Sequence, residues 1–196
     1  LKVYLTSVTD HFATVSVCGP LSKKILEKVT QNIDYSDSSF PHMSFKHGLI
    51  DKIKCRVMRI SFTGELSYEI NVQANYGQSV WEKCMEAGEE YGITPYGTEA
   101  MHLLRAEKGF IIVGQETDGT VTPVDLQMDW IVSKKKYDFI GKRSLYRSDT
   151  IRENRKQYVG LITKDPKEVL EEGAQIVSEV KNKPPMDMIG HITSSY

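Results

Sequence analysis

The sequence predicts an α+β fold in which antiparallel sheets with flanking helices are followed by the start of a small C-terminal β-barrel-like domain. Three observations carry that expectation. Short segments alternate apolar and polar residues, two stretches among them carry helical periodicity, and beyond residue 150 only strand-like runs separated by turns remain. The expected boundaries are 1–150 for a first domain and 151–196 for a partial second one. With 196 residues, 40% of them hydrophobic, the chain can bury a sizeable core.

Each element has its own local reason. "FATVSVC" at 12–18 alternates and is rich in β-branched residues, so it reads as a strand. "GP" then turns the chain, and Pro20 suits the first position of a helix through "PLSKKILEKV", where its missing N–H costs nothing. Residues 30–48 are rich in Ser, Asp and Pro and read as a long connection around short strands. "KCRVMRISF" and "ELSYEINV" alternate on either side of a "TG" turn and predict an antiparallel hairpin. In 77–91, Val80, Trp81, Cys84 and Met85 fall at helical spacing. A second helix is expected from Thr98 as N-cap, with Ala100, Leu103 and Leu104 as its buried stripe and Gly109 just past its end. After a basic, turn-rich stretch and a short helix at 141–147, "YVGLIT", "AQIVSEV" and "IGHITSS" read as strands.

Charge and composition narrow the function. The 25 basic and 26 acidic residues cancel to a formal charge of −1, so nucleic acid and anionic membranes are not expected partners. No apolar run approaches the roughly 20 residues that span a bilayer, and no secretory leader is visible, so a cytoplasmic location is expected. Cys18, Cys55 and Cys84 lie far apart and read as free thiols, and the five histidines are dispersed, so no metal site is expected. Dinucleotide, nucleotide-triphosphate and nucleophile-elbow motifs are all absent. The chain opens on Leu1 and stops at "HITSSY", which reads as a piece of something longer.

Two segments raise questions of chemistry. "SFTGELSYEI" at 61–70 sets Glu65 straight after Gly64 and Glu69 four residues on. In a strand, 65, 67, 69 and 71 share one face and Leu66, Tyr68, Ile70 and Val72 the other, so spacing alone makes both glutamates a solvated face. A turn at Gly64 would instead aim Glu65 at the rim of the sheet, where a carboxylate can accept two parallel donors, as from the 2-amino-pyrimidinone edge of a pterin. In "LRAEKG", Glu107 lies beside the apolar stripe and reads as one half of a cross-element ion pair; alternatively, Arg105 meets an anionic ligand tail.

Taken in order, "DHFATVSVCGPLSKKIL", "SFTGELSYEINV", "GITPYGTEAMHLLRAEKG", "TPVDLQMDWIV" and "DFIGKRSL" resemble the folate-binding aminomethyltransferases, the family of the glycine cleavage T-protein. "KDPKEVLEEGAQIV" and "PPMDMIGHITSSY" are most similar to its oxidase-linked branch, the sarcosine oxidase α subunits and dimethylglycine dehydrogenases. The resemblance implies tetrahydrofolate as cofactor, with Glu65 at the pterin and Tyr68 and Arg105 lining the pocket. It implies a catalytic aspartate upstream of residue 1, so that this piece alone is expected to be inactive. FAD, FMN and NAD are implied only elsewhere in the intact assembly, with flavin-bearing subunits as partners and sarcosine or a related N-methyl amine as substrate. A stand-alone aminomethyltransferase, a folate-dependent demethylase and a non-enzymatic folate-binding module are the alternatives.

Overall fold

In the computed structural model, which describes residues 2–196, the chain forms two units, Leu1–Phe110 and Ile111–Tyr196. The first is built on a four-stranded antiparallel sheet in the order β1-β4-β3-β2, from β1 (Phe12–Cys18), β2 (Phe45–Ile50), β3 (Ile53–Met58) and β4 (Ser67–Gln73). Helices α1 (Ser22–Val29) and α2 (Gly77–Gly88) cover one face, and α3 (Thr98–Glu107) ends the unit. The α+β class is that expected.

Several local expectations are corrected. The tight hairpin is β2–β3, closed by Asp51 and Lys52 with Asp51 at φ 53°, and not a pair joined across "TG". β3 and β4 do pair antiparallel, but through only Arg56–Asn71, Val57–Ile70 and Met58–Glu69, and an irregular loop over 59–66 joins them. α1 starts at Ser22 and not at Pro20, because Gly19 at φ 109° turns the chain first and the Ser22 N–H donates to the Gly19 carbonyl at 3.1 Å. Thr98 is the first residue of α3 and Gly97 its cap, with no side-chain capping bond.

Period-two alternation decides what β4 buries. Tyr68, Ile70 and Val72 point into a core shared with Val17, Ile25, Leu26, Val57 and Val80. Tyr35 and Phe40, both from the polar 30–48 connection, enter that core and meet Tyr68, with ring centroids 5.3 to 5.8 Å apart. Arg59 fastens the connection, donating to Asp37 Oδ1 and to the Phe40 carbonyl, each at 2.7 Å. Burial pushes the thiols of Cys55 and Cys84 up, the latter to about 11, and holds them as inert core groups. Trp81, expected on the buried stripe of α2, is 44% exposed.

The second unit contains a two-stranded sheet of β5 (Gln175–Val177) and β6 (Met188–His191), with short 3-10 turns at Asp129–Ile131 and Lys142–Tyr146. "YVGLIT" is not a strand. The Tyr158 N–H donates to the Asp125 carbonyl at 2.8 Å and Gln127 donates to the Tyr158 carbonyl at 2.9 Å, so loop groups and not a ladder satisfy the backbone of its first residue. Asp125 is the node of this loop. Arg155 grips both of its oxygens, at 2.8 and 2.6 Å, and the Thr122 N–H and hydroxyl donate to Oδ2 at 2.7 and 2.9 Å.

Two outcomes follow from these contacts. Phe40→Ala empties a fully buried ring site and should cost about 3 to 5 kcal/mol, read as a lower denaturant midpoint with the slope preserved. The Arg155 hydrogen bond holds the Asp125 carboxyl below its ordinary value. Its contribution to stability is therefore present above the unfolded carboxylate pKa and lost as pH falls through the lowered one. Asp125→Asn should lower the melting temperature at neutral pH, and the gap from wild type should close in acid.

Candidate functional site

The loop over 59–66 is fixed at its first residue, where the Arg59 N–H donates to the Ser44 carbonyl at 2.9 Å, and at its last. At Leu66 its carbonyl accepts the Gly19 N–H at 2.8 Å and the Ser22 hydroxyl at 3.3 Å, which ties it to the turn between β1 and α1. At its centre it meets the end of α3: the Phe62 and His102 rings lie 6.2 Å apart, and Gly64, at φ 79°, lies against the stem of Lys108. A Cβ at position 64 would fall 2.6 Å from Lys108 Cγ and 2.7 Å from its Cβ. Glycine is thus required twice, for its backbone conformation and for the close approach.

Helix α3 ends in a Schellman motif. Gly109 takes φ 70°, its N–H donates to Ala106, and the Phe110 N–H donates to Arg105, both at 2.9 Å. That closure sets Lys108 as the C-cap, where the helix dipole favours a cation, and directs its ammonium to Glu65 Oε1 at 2.8 Å. Hydrogen bonding to Glu65 raises the Lys108 pKa. The Glu65 N–H donates to Thr63 Oγ1 at 3.4 Å, and no other described side chain bonds to the Glu65 carboxylate.

The three expected site residues do not converge. Glu65 sits at the rim, its side chain 37% exposed. Arg105, 1% exposed, lies inside the same helix end and donates to the Phe110 carbonyl at 3.1 Å. Tyr68, also 1% exposed, packs against Tyr35 and Phe40 on the core face of the sheet. Arg105, and not the leucines, is what α3 buries, since Leu103 is 39% exposed. Glu107 is exposed and makes no ion pair among the described residues, which corrects the expected pairing: the cross-element ion pair belongs to Lys108. Sequence reading passed over Lys108, although a lysine at a helix C-terminus before a Gly stop was a usable signal.

The face of β4 opposite the core also departs from expectation. Ser67 is buried, and Glu69 and Asn71 are half-buried, with Ser16 and Thr14 opposite them on β1. Thr14 donates to Asn71 Oδ1 at 2.9 Å, while Asn71 Nδ2 is enclosed without a described partner. Tyr96, from the segment before α3, lies beside Ser16, Cys18 and Glu69, and burial pushes its hydroxyl up to about 12. Burial raises the Glu69 carboxyl as well. Among the described residues no group of three or more His, Cys, Asp or Glu could hold a metal ion, and no helix is long and apolar enough to cross a membrane.

An antiparallel sheet with helices on its core face and a carboxylate clasped at its rim defines the class of fold. The GCVT N-terminal domain model matches residues 2–136, and the chain belongs to that family. It is 51% identical, over its whole length, to the sarcosine oxidase subunit alpha of Corynebacterium sp. (strain P-1), and 37% identical, again over its whole length, to that of Rhizobium meliloti (strain 1021). An aminomethyltransferase of Halothermothrix orenii is 36% identical over 147 residues, covering 74% of this chain and 40% of the relative. The chain spans 20% of the length of the two sarcosine oxidase subunits.

Glu69 supplies a test of this geometry. A carboxyl raised by burial binds its proton more tightly folded than unfolded, so stability falls as pH rises through the unfolded value toward the raised one. Glu69→Gln should raise the melting temperature at neutral pH. The gain should vanish in acid, where both states are protonated.

Proposed function

We propose that this chain is the tetrahydrofolate-binding part of a sarcosine oxidase α-like subunit. In that role it helps capture, as 5,10-methylenetetrahydrofolate, the one-carbon unit released when sarcosine is oxidatively demethylated. Identity of 51% across the whole chain to a protein named as that subunit is the observation that carries the reading. Flavin-bearing subunits would oxidise the N-methyl amine to an imine; transfer of its methylene carbon to the cofactor then leaves glycine. FAD, FMN and NAD are assigned to other regions of the assembly, and cytoplasmic location is part of the same proposal.

The residues present fit the folate at one position. Lys108 takes one lone pair of Glu65 at Oε1, so the second lone pair of Oε1 and those of Oε2 can accept the two parallel N–H donors of a 2-amino-pyrimidinone. When bound, tetrahydrofolate supplies the nucleophilic nitrogens. The chain then has only to bind and orient it and to exclude water that would release formaldehyde. Glu65 orients the pterin edge. Arg105 and Tyr68, buried as they are, support that role through the helix end and the inner face of β4. The aminomethyltransferase relative favours a second reading, a folate-dependent transferase without an oxidase.

Titration of the intact protein with tetrahydrofolate tests the assignment. Glu65→Gln should weaken binding by about 1 to 3 kcal/mol, the cost of an unmatched charged hydrogen bond. Undiminished affinity would remove Glu65 from the site.

A further inference from the structure

The pair formed by Lys108 and Glu65 has a property that an ordinary surface ion pair lacks: the base of the cation's side chain is packed against the backbone beside its partner. The carbon stem of Lys108 lies on the backbone of Gly64, against the space a Cβ would need, and its backbone is fixed by the Schellman closure through Gly109 and Phe110. Its ammonium reaches Oε1 of the very next residue, Glu65, at 2.8 Å. An unrestrained glutamate samples many rotamers, and a ligand that needs one of them must order it on binding. Here the ordering is done beforehand by a point charge that takes one lone pair of Oε1 and leaves the other open. Oε2 is left without a described partner.

We infer that Lys108 is a positioning residue for Glu65, presetting its carboxylate to receive a ligand edge with paired N–H donors while making no contact with that ligand itself. The inference rests on the proposed role of Glu65 and adds to it a second residue and a reason for Gly64. It also accounts for the placement of lysine on the C-cap. A shorter side chain there would not reach Oε1, and an arginine fork would claim both oxygens.

A double-mutant cycle in the intact protein, read by tetrahydrofolate titration, separates the possibilities. Lys108→Met keeps much of the apolar stem and removes the charge, and it should weaken binding roughly two- to five-fold, the range expected of a half-exposed ion pair. The pair Glu65→Gln with Lys108→Met should bind no more weakly than Glu65→Gln alone, because Lys108 then has nothing left to position. A thermal midpoint measured for each variant, with Lys108→Gln as a second neutral replacement, distinguishes lost positioning from lost folding. Unchanged or tighter binding by Lys108→Met, with binding weakened by Glu65→Gln, would overturn the inference and leave the folate reading standing. Losses that add in the double variant would also overturn it, since Lys108 would then act independently of Glu65. Unchanged binding by Glu65→Gln would overturn both.

Discussion

The first unit depends on the alternation of β4. Seven residues, flanked by β1 and β3, must send successive side chains to opposite faces, so one strand carries both the core and the candidate chemistry. On one side Tyr68, Ile70 and Val72 close a core into which Tyr35 and Phe40 are plugged. On the other, Ser67, Glu69 and Asn71 form a polar surface that is only half open. A one-residue slip would exchange the two sets, placing carboxylate in the core and tyrosine on the polar face. Ten paired positions on the two sides resist that slip, seven to β1 and three to β3.

Much of this was legible in the sequence because it depends on near neighbours. Alternation found β1 and β4 and the core face of β4, the Gly-Pro turn marked α1, and helical spacing with terminal signals marked α2 and α3. What failed depends on contacts distant along the chain. The 30–48 segment looks like a polar connection around short strands because Ser, Asp and Pro dominate it, and β2 does begin there at Phe45, yet its structural residues are the buried Tyr35 and Phe40. "YVGLIT" has strand composition, but the backbone of its first residue, Tyr158, pairs with Asp125 and Gln127, some thirty residues back, which no local pattern encodes. At the candidate site, the expected turn at Gly64 is present and leaves Glu65 in the loop, with Glu69 inside the ladder. The choice of Glu107 for the cross-element pair failed because side-chain direction at a helix end is set by how the helix closes, and the Schellman turn aims Lys108, not Glu107, at the loop.

The two glutamates four residues apart now stand in opposite surroundings. Glu65 has a cation at 2.8 Å and a partly open rim. Glu69 has no described cation, lies half-buried beside Tyr96, and has its ionised form disfavoured by that burial. Only the first has a cation in contact with its carboxylate. The difference arises from a single step in the chain: residue 65 lies in the loop before the strand begins, where it can reach α3, and residue 69 lies within the ladder, where it cannot.

That step also explains why so small a clasp can serve the proposed chemistry. When the reacting nitrogens belong to the cofactor, the protein contributes orientation, and orientation is lost through loose side chains before it is lost through missing charge. A glutamate on a free loop would supply the charge without the geometry. Anchoring the loop at Leu66 to the β1–α1 turn, at Gly64 to the Lys108 stem and at Oε1 to the Lys108 ammonium removes backbone and rotamer freedom together. Each anchor comes from a different part of the sequence, around residues 19–22, 64–66 and 108. The carboxylate is therefore ordered only when β1, α1, β4 and α3 have assembled, and folding of the unit and readiness of the site become one event.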